Sequence, residues 1–511
     1  MKEHEQSTID IPVQERIVTD YLCYSFSIPI ILSVVLIFIL VFVSGLKFSF
    51  LHPEAKDGMW CGIDNSVYGN FSNLKKQNLL AASGKCIKDN DCNGVKLFSF
   101  CIPSDKIELI NADMLFKVAF DFCKYWKLAI CMFAGILLLA FPIYLVCSKI
   151  IGFVILSLSI LLFIFSVVLS VLHIRNIYVV SIFAVIDILV LKFVFSLKPM
   201  IQIFNPLVSV STNIFMKAKT VFLASLFIIV TTLLTIMISI FGILFTLGIG
   251  KPNVHLFKLT FVRDNSFKIT IVLFWIIGHW MVKFFLSLTK TVVSYIVSSG
   301  FFKRDISSFF HVCLLMIKYH SGTLLFGSFI DSIIGNLSII YNLFKHTIPK
   351  TKNTFVRAIL KCISFVFFLL VRLIGESNQL SFTFTAMKGF SFWDGCQEAK
   401  DVLRIDSIFN IDLFLKIVFS FSKFMLFLIS FIGTYLYAIR LDLFIPIIPA
   451  LLISILSYFG LYSIDIVIET SCKTLLLCVF EDANDQGKYT PKELEDLLHC
   501  IEEKIFKLDK I

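Results

Sequence analysis

Long apolar runs recur along this 511-residue chain with short polar stretches between them. A transmembrane helix needs about 20 consecutive, mainly apolar residues. Because backbone groups in lipid must be satisfied within the segment itself, runs of this kind predict helices. The pattern therefore predicts an all-α integral membrane protein with about ten transmembrane helices in one bundle. The predicted spans are residues 24–46, 127–147, 150–172, 177–198, 220–249, 267–299, 309–344, 355–375, 411–438 and 441–470.

One further segment, 378–395, has the sequence NQLSFTFTAMKGFSFWDG and does not fit this pattern. It is too polar for a lipid-facing span. Two interpretations are open, a re-entrant segment and the second half of a broken helix.

An even number of spans places both termini on one side of the membrane and the loop 47–126 on the other. This loop contains Asn70-Phe71-Ser72, a glycosylation sequon, and four cysteines. Cysteines in such a loop favour disulfide bonds in an oxidising space, with free thiols as the alternative. The loop is therefore predicted to be extracellular. The cysteines are Cys61, Cys86, Cys92 and Cys101.

This topology divides the chain into three parts. Residues 1–23 and 471–511 are predicted to be cytoplasmic tails, and 24–470 the membrane domain. Lysine and arginine counts in the short loops do not distinguish the two sides, so the orientation depends on the cysteine-containing loop.

Composition narrows the function. Only 16% of the residues are charged and 58% are hydrophobic, whereas soluble domains carry roughly 25% charged residues. The net charge of +10 is dispersed without a basic run, which argues against a nucleic-acid partner. The chain lacks HExxH, paired CxxC and phosphate-loop motifs, so no enzyme activity, metal or cofactor is expected.

Polar and small residues form a stripe along the span 309–344. At about 100° per residue they fall on one face of the helix. Glycine and serine in such a stripe usually permit close helix packing. Asp331 differs, because a carboxylate near mid-membrane costs roughly 3 kcal/mol or more and faces a partner or a polar cavity. The stripe comprises His320, Thr323, Gly327, Asp331, Gly335 and Ser338.

The preceding span, 267–299, carries a second polar stripe that includes Lys283 and Lys290. Lysines inside a span are costly unless they are paired or snorkel to the interface. Asp331 and Asp187 are the nearest carboxylates by predicted depth. The stripes therefore predict either a charge pair between adjacent helices or a water-filled path between them. Aromatic residues that could attract a quaternary ammonium ion there are Trp275, Trp280, Tyr295 and Trp393.

The segment Tyr319–Gly327, YHSGTLLFG, closely resembles the Y-H-x-G-[ST]-x-x-F-G signature of the choline transporter-like family. The resemblance is to the fungal type, described as plasma-membrane transporters. Other landmarks occur in the family's order. They are RIVTDYLC at 16–23, CG at 61–62, Trp275, SY at 294–295, and KTLLLCVFEDANDQG at 473–487.

The resemblance implies a multi-pass carrier in the plasma membrane bilayer that takes up choline or a related small organic cation by alternating access. A non-transporting membrane scaffold and a channel-like conduit are the alternatives. Tyr319 lies about 100° off the polar face and belongs to the site only if the helix unwinds near Gly322. The expected substrate-binding residues are Trp275, Tyr295, Tyr319, His320 and Asp331, with Gly322 and Gly327 as points of close helix approach.

Three positions depart from the family pattern. Lys473 stands where the family has an aspartate, and Lys283 and Lys290 stand where it has apolar or small residues. A lysine in a cation pathway is unfavourable unless it is neutralised. An altered or lost substrate is therefore a further alternative.

Overall fold

The structure is a computed structural model of the chain. It describes mainly residues from 205 onward, together with a few earlier positions. The described residues are 18–20, scattered positions of 28–39, the strand backbones within 79–103, 205–214, 220–247, 251–255, 258–262, 266–304, 308–347, 360, 380–403, scattered positions of 420–428, 430–440, 445–484 and 488–495.

Eight helical segments are labelled here in chain order. Four of them are long and apolar enough to cross a membrane, namely α2, α3, α4 and α8. They correspond to the predicted spans beginning at 220, 267, 309 and 441. The other six predicted spans lie outside the described residues or are described only in part, so the count of ten stays a prediction. The segments are α1 at 205–214, α2 Thr220–Leu247, α3 Ser266–Phe301, α4 Phe309–Thr347, α5 at 380–388, α6 Phe392–Leu403, α7 at 430–440 and α8 Ile447–Asn484.

Helix α3 packs against α2, α4 and α8. Small residues permit the close approach of α2 and α3, because a Cβ at Gly278 would overlap the Ser239 side chain and one at Gly242 would lie 2.6 Å from the Phe274 ring. Helix α3 ends at Phe301, α4 begins at Phe309, and the two helices pack against each other. We call the end of the bundle at which α3 ends and α4 begins the turn end.

Helix α8 is buried on nearly all sides from 460 to 479. Its residues there are mostly apolar around the whole circumference, as expected for a helix surrounded by others. The helix continues to Asn484, beyond the predicted limit at 470. Two charged residues, Glu469 and Lys473, lie at this limit. These two side chains instead neutralise each other one turn apart, with Nζ and Oε1 at 2.7 Å, so the helix is not interrupted.

Within 378–395, helix is described over 380–388, part of α5, and again from Phe392, where α6 begins, with 389–391 between them. Gly389 has φ of 74°, a conformation that glycine adopts without a steric penalty. Ser391 then caps α6, because its hydroxyl accepts from the Asp394 amide and donates to the Asp394 carboxylate.

Short strands lie in the connecting loops, which the all-α prediction did not include. A four-stranded sheet, in the order β2-β1-β4-β3, is formed within the loop 47–126. Its strands are Leu79–Ala82, Lys85–Lys88, Gly94–Leu97 and Phe100–Pro103. An antiparallel hairpin of Lys251–His255 and Lys258–Val262, β5 and β6, joins α2 to α3. The described membrane spans themselves are helical.

The sheet carries Cys86 on β2 and Cys101 on β4. Cys61, Cys92 and Asn70 lie outside the described residues, as does Asp187. The disulfide and glycosylation assignments therefore stay predictions.

Candidate functional site

The signature segment of α4 binds residues of the N-terminal segment. The amide of Thr19 donates to the carbonyl oxygen of Tyr319 at 3.0 Å. The Thr19 hydroxyl lies 2.9 Å from Nδ1 of His320 and 2.7 Å from the hydroxyl of Thr323. Two parts of the chain separated by about 300 residues thus form one hydrogen-bonded unit.

Asp20 completes this unit. Its carboxylate accepts a hydrogen bond from the Thr323 hydroxyl at 2.6 Å and one from the amide of Phe392 at 2.9 Å. Phe392 is the first residue of α6, so the carboxylate lies at a helix N-terminus, where the helix dipole stabilises negative charge. Asp20 therefore links α4 to α6.

The hydrogen-bond directions follow from the donors available. The Thr323 hydroxyl donates to the Asp20 carboxylate, which has no proton to give. The Thr19 hydroxyl must then donate to Thr323, and Nδ1 of His320 must donate to Thr19. His320 is fully buried and serves here as an anchor for the N-terminal segment.

Gly322 is the contact point for this segment. A Cβ at Gly322 would overlap the carbonyl oxygen of Asp20 and lie 2.8 Å from that of Thr19. Gly327, further along α4, accommodates the rings of Phe382 and Phe392, each of which would lie 2.7 Å from a Cβ added there. Both glycines thus permit close packing, Gly322 with backbone and Gly327 with aromatic side chains.

Tyr319 does not turn toward the polar face, because α4 is continuous through Gly322. It contributes its carbonyl oxygen to the N-terminal contact, and its ring is covered by Lys318, whose Nζ lies 5.0 Å from the ring centroid.

The five predicted substrate-binding residues do not converge on one site. Trp275 and Tyr295 are separated by about 30 Å along α3, and His320 and Asp331 by about 16 Å along α4. Trp275 is 56% exposed, and Ile269 and Val272 on the preceding turns are exposed as well, whereas the neighbouring Phe274 is buried against Gly242 of α2. Tyr295 is partly buried against the apolar core.

The other two predicted tryptophans occupy different environments. Trp280 is buried, and its indole N–H points at the Leu325 carbonyl and the Ser328 hydroxyl at 3.3 and 3.1 Å. It joins α3 to α4. Trp393 is 58% exposed.

Charged residues meet at mid-helix between α3, α4 and α8, and we call them the charge cluster: Lys283, Lys290, Asp331, Glu469 and Lys473. Lys283 pairs with Asp331 at 2.9 Å, and Lys473 pairs with Glu469 at 2.7 Å. Lys290 interacts electrostatically with both pairs. The side chains of Lys283, Asp331 and Glu469 keep 26%, 20% and 20% exposure.

Hydroxyl groups connect α3, α5 and α8 beside this cluster. The Thr474 hydroxyl donates to Ser294 at 2.9 Å, and Ser294 donates to Thr383 at 3.3 Å. All three residues are buried.

Within the described residues, no group of three metal-ligating side chains is present.

Comparison with known proteins identifies the family. Residues 181–484, more than half of the chain, match the family model described as "Plasma-membrane choline transporter". The chain belongs to this choline transporter family. The matched region contains the charge cluster, the signature and the short helices α5 and α6.

The curated relatives are distant. Choline transporter-like protein 5-A of Danio rerio is 25% identical over 42% of this chain and 33% of its own length. Choline transporter-like protein 2 of Dictyostelium discoideum is 26% identical over 42% of this chain and 35% of its own length. Choline transporter-like protein 3 of Bos taurus is 25% identical over 45% and 37%. The matches span about a third of these choline transporter-like proteins.

Several residues of the site were not predicted from the sequence. The family landmark RIVTDYLC contains Thr19 and Asp20, but nothing in the sequence indicates that they bind the signature. Glu469 could have been found from its spacing, because it precedes Lys473 by four residues on a predicted helix. Thr383 and Thr474 carry no local signal for their contact with Ser294.

Proposed function

We propose that this protein transports choline or a related small organic amine across the plasma membrane, with the charge cluster as the polar site at mid-membrane. The family match over 181–484 is the observation that carries the proposal. The location is supported by the cluster itself, because charged side chains within a span usually face a substrate or ion path. Asp331 belongs to the charge cluster, whereas Trp275 and Tyr319 do not.

Alternating access requires an end that can close and open, and we propose that the turn end faces the cytoplasm and is closed in this structure. Three sets of polar contacts support closure there. They are the N-terminal segment on α4 and α6, the Lys388 ion pairs with Glu398 and Glu481 at 3.3 and 2.8 Å, and the bonds from Tyr489 and Thr490 to the Asp482 carboxylate. Such contacts can be broken without repacking an apolar core.

The membrane potential can supply the driving force. A monovalent cation gains about 2.3 kcal/mol per 100 mV on entering a negative interior. Uptake of a cationic amine therefore needs no ATP. We infer facilitated transport.

The test is uptake of labelled choline into vesicles that contain the purified protein, with an imposed potential. Saturable uptake that increases with inside-negative potential is expected. Uptake that does not saturate would identify a channel-like conduit. Protein-free vesicles provide the background rate.

A scaffold without transport activity is the second candidate, and the Lys283–Asp331 pair at 2.9 Å favours it, because such a pair can simply join α3 to α4. The two candidates differ in the effect of exchanging the charges. The double variant Lys283→Asp with Asp331→Lys keeps the pair. A scaffold would keep its stability and have no flux to lose, whereas a transporter would lose uptake while remaining folded.

A further inference from the structure

Residues 18–20 of the N-terminal segment are non-helical and lie against α4 and α6. Hydrogen bonds made by Thr19 and Asp20 hold them there. Val18 is 42% exposed, so burial of this apolar side chain does not hold the segment. Water can replace each hydrogen bond when the segment leaves, which keeps the net contribution of each bond small. The contact is therefore suited to reversible docking.

Asp20 adopts a backbone conformation that is unfavourable for a free chain. Its φ is 53°, in the left-handed region, where the Cβ of an L-residue crowds the backbone. Aspartate tolerates this region better than most residues do. In this conformation the carbonyl oxygen of Asp20 lies against Gly322, while its carboxylate reaches Thr323 and the Phe392 amide. Such a conformation persists only while its surroundings hold it, so we expect residues 18–20 to dock and undock as one unit.

Helices α5 and α6 form a closely packed pair that is attached to α8. The Ser381 hydroxyl of α5 donates to the Phe392 carbonyl of α6 at 2.9 Å. A Cβ at Gly395 of α6 would lie 2.9 Å from the carbonyl oxygen of Ser381. At the other end of the described part of α5, Lys388 pairs with Glu481 of α8 at 2.8 Å. A displacement of α4 would therefore leave the α5–α6 pair in place on α8.

The interface between α4 and this pair combines ring contacts with a polar link, and we call it the α4–α6 seam. The Phe392 ring packs edge-on against Phe326, with 5.5 Å between the centroids, and lies over Gly327. The Asp20 carboxylate bonds the Thr323 hydroxyl on the α4 side and the Phe392 amide on the α6 side. When the N-terminal segment undocks, the seam loses this link and the amide at the start of α6 loses its acceptor.

We propose that Asp20 is a latch for transport. Docking of residues 18–20 closes the α4–α6 seam, and the segment undocks in each transport cycle so that the seam can open. This inference rests on the proposed transport function. It makes Asp20 a positioning residue, because its carboxylate acts through α4 and α6.

A reversible crosslink tests whether undocking is required. The hydroxyl oxygens of Thr19 and Thr323 lie 2.7 Å apart, so sulfur atoms at these positions can reach the disulfide bond length of about 2.05 Å. The double variant Thr19→Cys with Thr323→Cys is assayed for uptake of labelled choline into vesicles, first oxidised and then reduced with dithiothreitol. Because a gate that cannot open stops turnover, the oxidised protein is expected to transport about tenfold more slowly or less, and reduction to restore uptake.

Two controls accompany the crosslink. Mass spectrometry of the linked peptides shows that the disulfide joins positions 19 and 323. The single variants Thr19→Cys and Thr323→Cys, oxidised in the same way, report any effect of oxidation on the native cysteines. Their uptake is expected to be insensitive to the oxidant.

Hydrogen exchange in the wild-type protein is a second measurement that needs no variant. The Thr19 amide donates to the Tyr319 carbonyl while the segment is docked. If the segment undocks in each cycle, exchange of the peptide that contains Thr19 should be about threefold faster or more in vesicles transporting choline than in vesicles without it. The buried stretch 286–289 of α3 should exchange at the same rate in both.

Each outcome bears on the latch. If the oxidised double variant carries the disulfide and transports choline as fast as the reduced one, the latch proposal fails and the transport function stands. If oxidation forms no disulfide between these positions, the docked contact is wrong and the proposal fails with it. An unchanged exchange rate at Thr19 during transport also overturns the latch, and this measurement decides if the reduced double variant is inactive. If the wild type takes up no choline, the transport function itself fails, and the latch with it.

Discussion

The contact between the N-terminal segment and α4 can be tested by one isosteric substitution, Thr323→Val. Valine keeps the shape of threonine and removes its hydroxyl, which accepts from Thr19 and donates to Asp20 in the structure. Two hydrogen bonds are lost, one neutral and one to a carboxylate. The segment should therefore detach more often.

The magnitude follows from the two bonds. A neutral hydrogen bond contributes roughly 0.5–1.5 kcal/mol, and one to a charged group roughly 1.5–3 kcal/mol. Their loss should weaken docking by about 2–4.5 kcal/mol. Because 1.4 kcal/mol corresponds to a tenfold change, the undocked population should increase by a factor between about 30 and about 1,500.

Hydrogen exchange of the Thr19 amide measures this change. That amide donates to the Tyr319 carbonyl only when the segment is docked, so its exchange rate reports the opening equilibrium. Thr291→Val is the matched control, since among the described residues its buried hydroxyl bonds only the carbonyl of Ser287 on its own helix. Equal hydrogen-exchange rates of the Thr19 amide in the two variants would contradict this contact.

Three further substitutions probe other contacts. Gly327→Leu should destabilise the protein by about 1–3 kcal/mol, because the leucine side chain would overlap the rings of Phe382 and Phe392. A melting temperature equal to that of the wild type would contradict this packing. Asp331→Asn leaves Lys283 unpaired. The free energy of unfolding should fall by less than the roughly 3–5 kcal/mol expected for a fully buried pair, since both side chains are partly exposed. Chemical denaturation measures this loss, and an unchanged midpoint would show that the pair contributes nothing. Asp482→Asn weakens the acceptor for Tyr489 and Thr490 and should increase proteolysis after residue 484; equal cleavage of the variant and the wild type would argue against this contact.

Local sequence patterns predicted several helices of the fold and the face that α4 turns to the protein interior. Four predicted spans match described helices, and the polar stripe of α4 faces the protein, with His320 and Thr323 fully buried. The polarity of 378–395 set this segment apart from the predicted spans, and its helix is interrupted at 389–391, where Gly389 has a positive φ. These features follow from hydropathy, helical period and glycine.

The remaining features depend on contacts between distant parts of the chain. Trp275 was expected to bind substrate but lies 56% exposed, although the neighbouring Phe274 is buried against α2, because helical phase does not tell which faces other helices cover. His320 faces the interior as its phase predicts, yet its partner Thr19 is 301 positions away. The span predicted to end at 470 belongs to a helix that continues to Asn484, and Glu469 and Lys473 form an ion pair within it.

The family landmarks meet in pairs in the folded protein. Thr19 and Asp20 of RIVTDYLC bind the signature around Gly322, and Ser294 of the SY dipeptide bonds Thr474 of the last landmark at 2.9 Å. The first contact joins the N-terminal segment to α4, and the second joins α3 to α8 beside the charge cluster. We infer that the shared landmarks hold these separate segments of the protein together. Substitution at Thr323 should therefore release the N-terminal segment, whereas substitution at Lys290 should leave it docked, and hydrogen exchange of the Thr19 amide measures the difference.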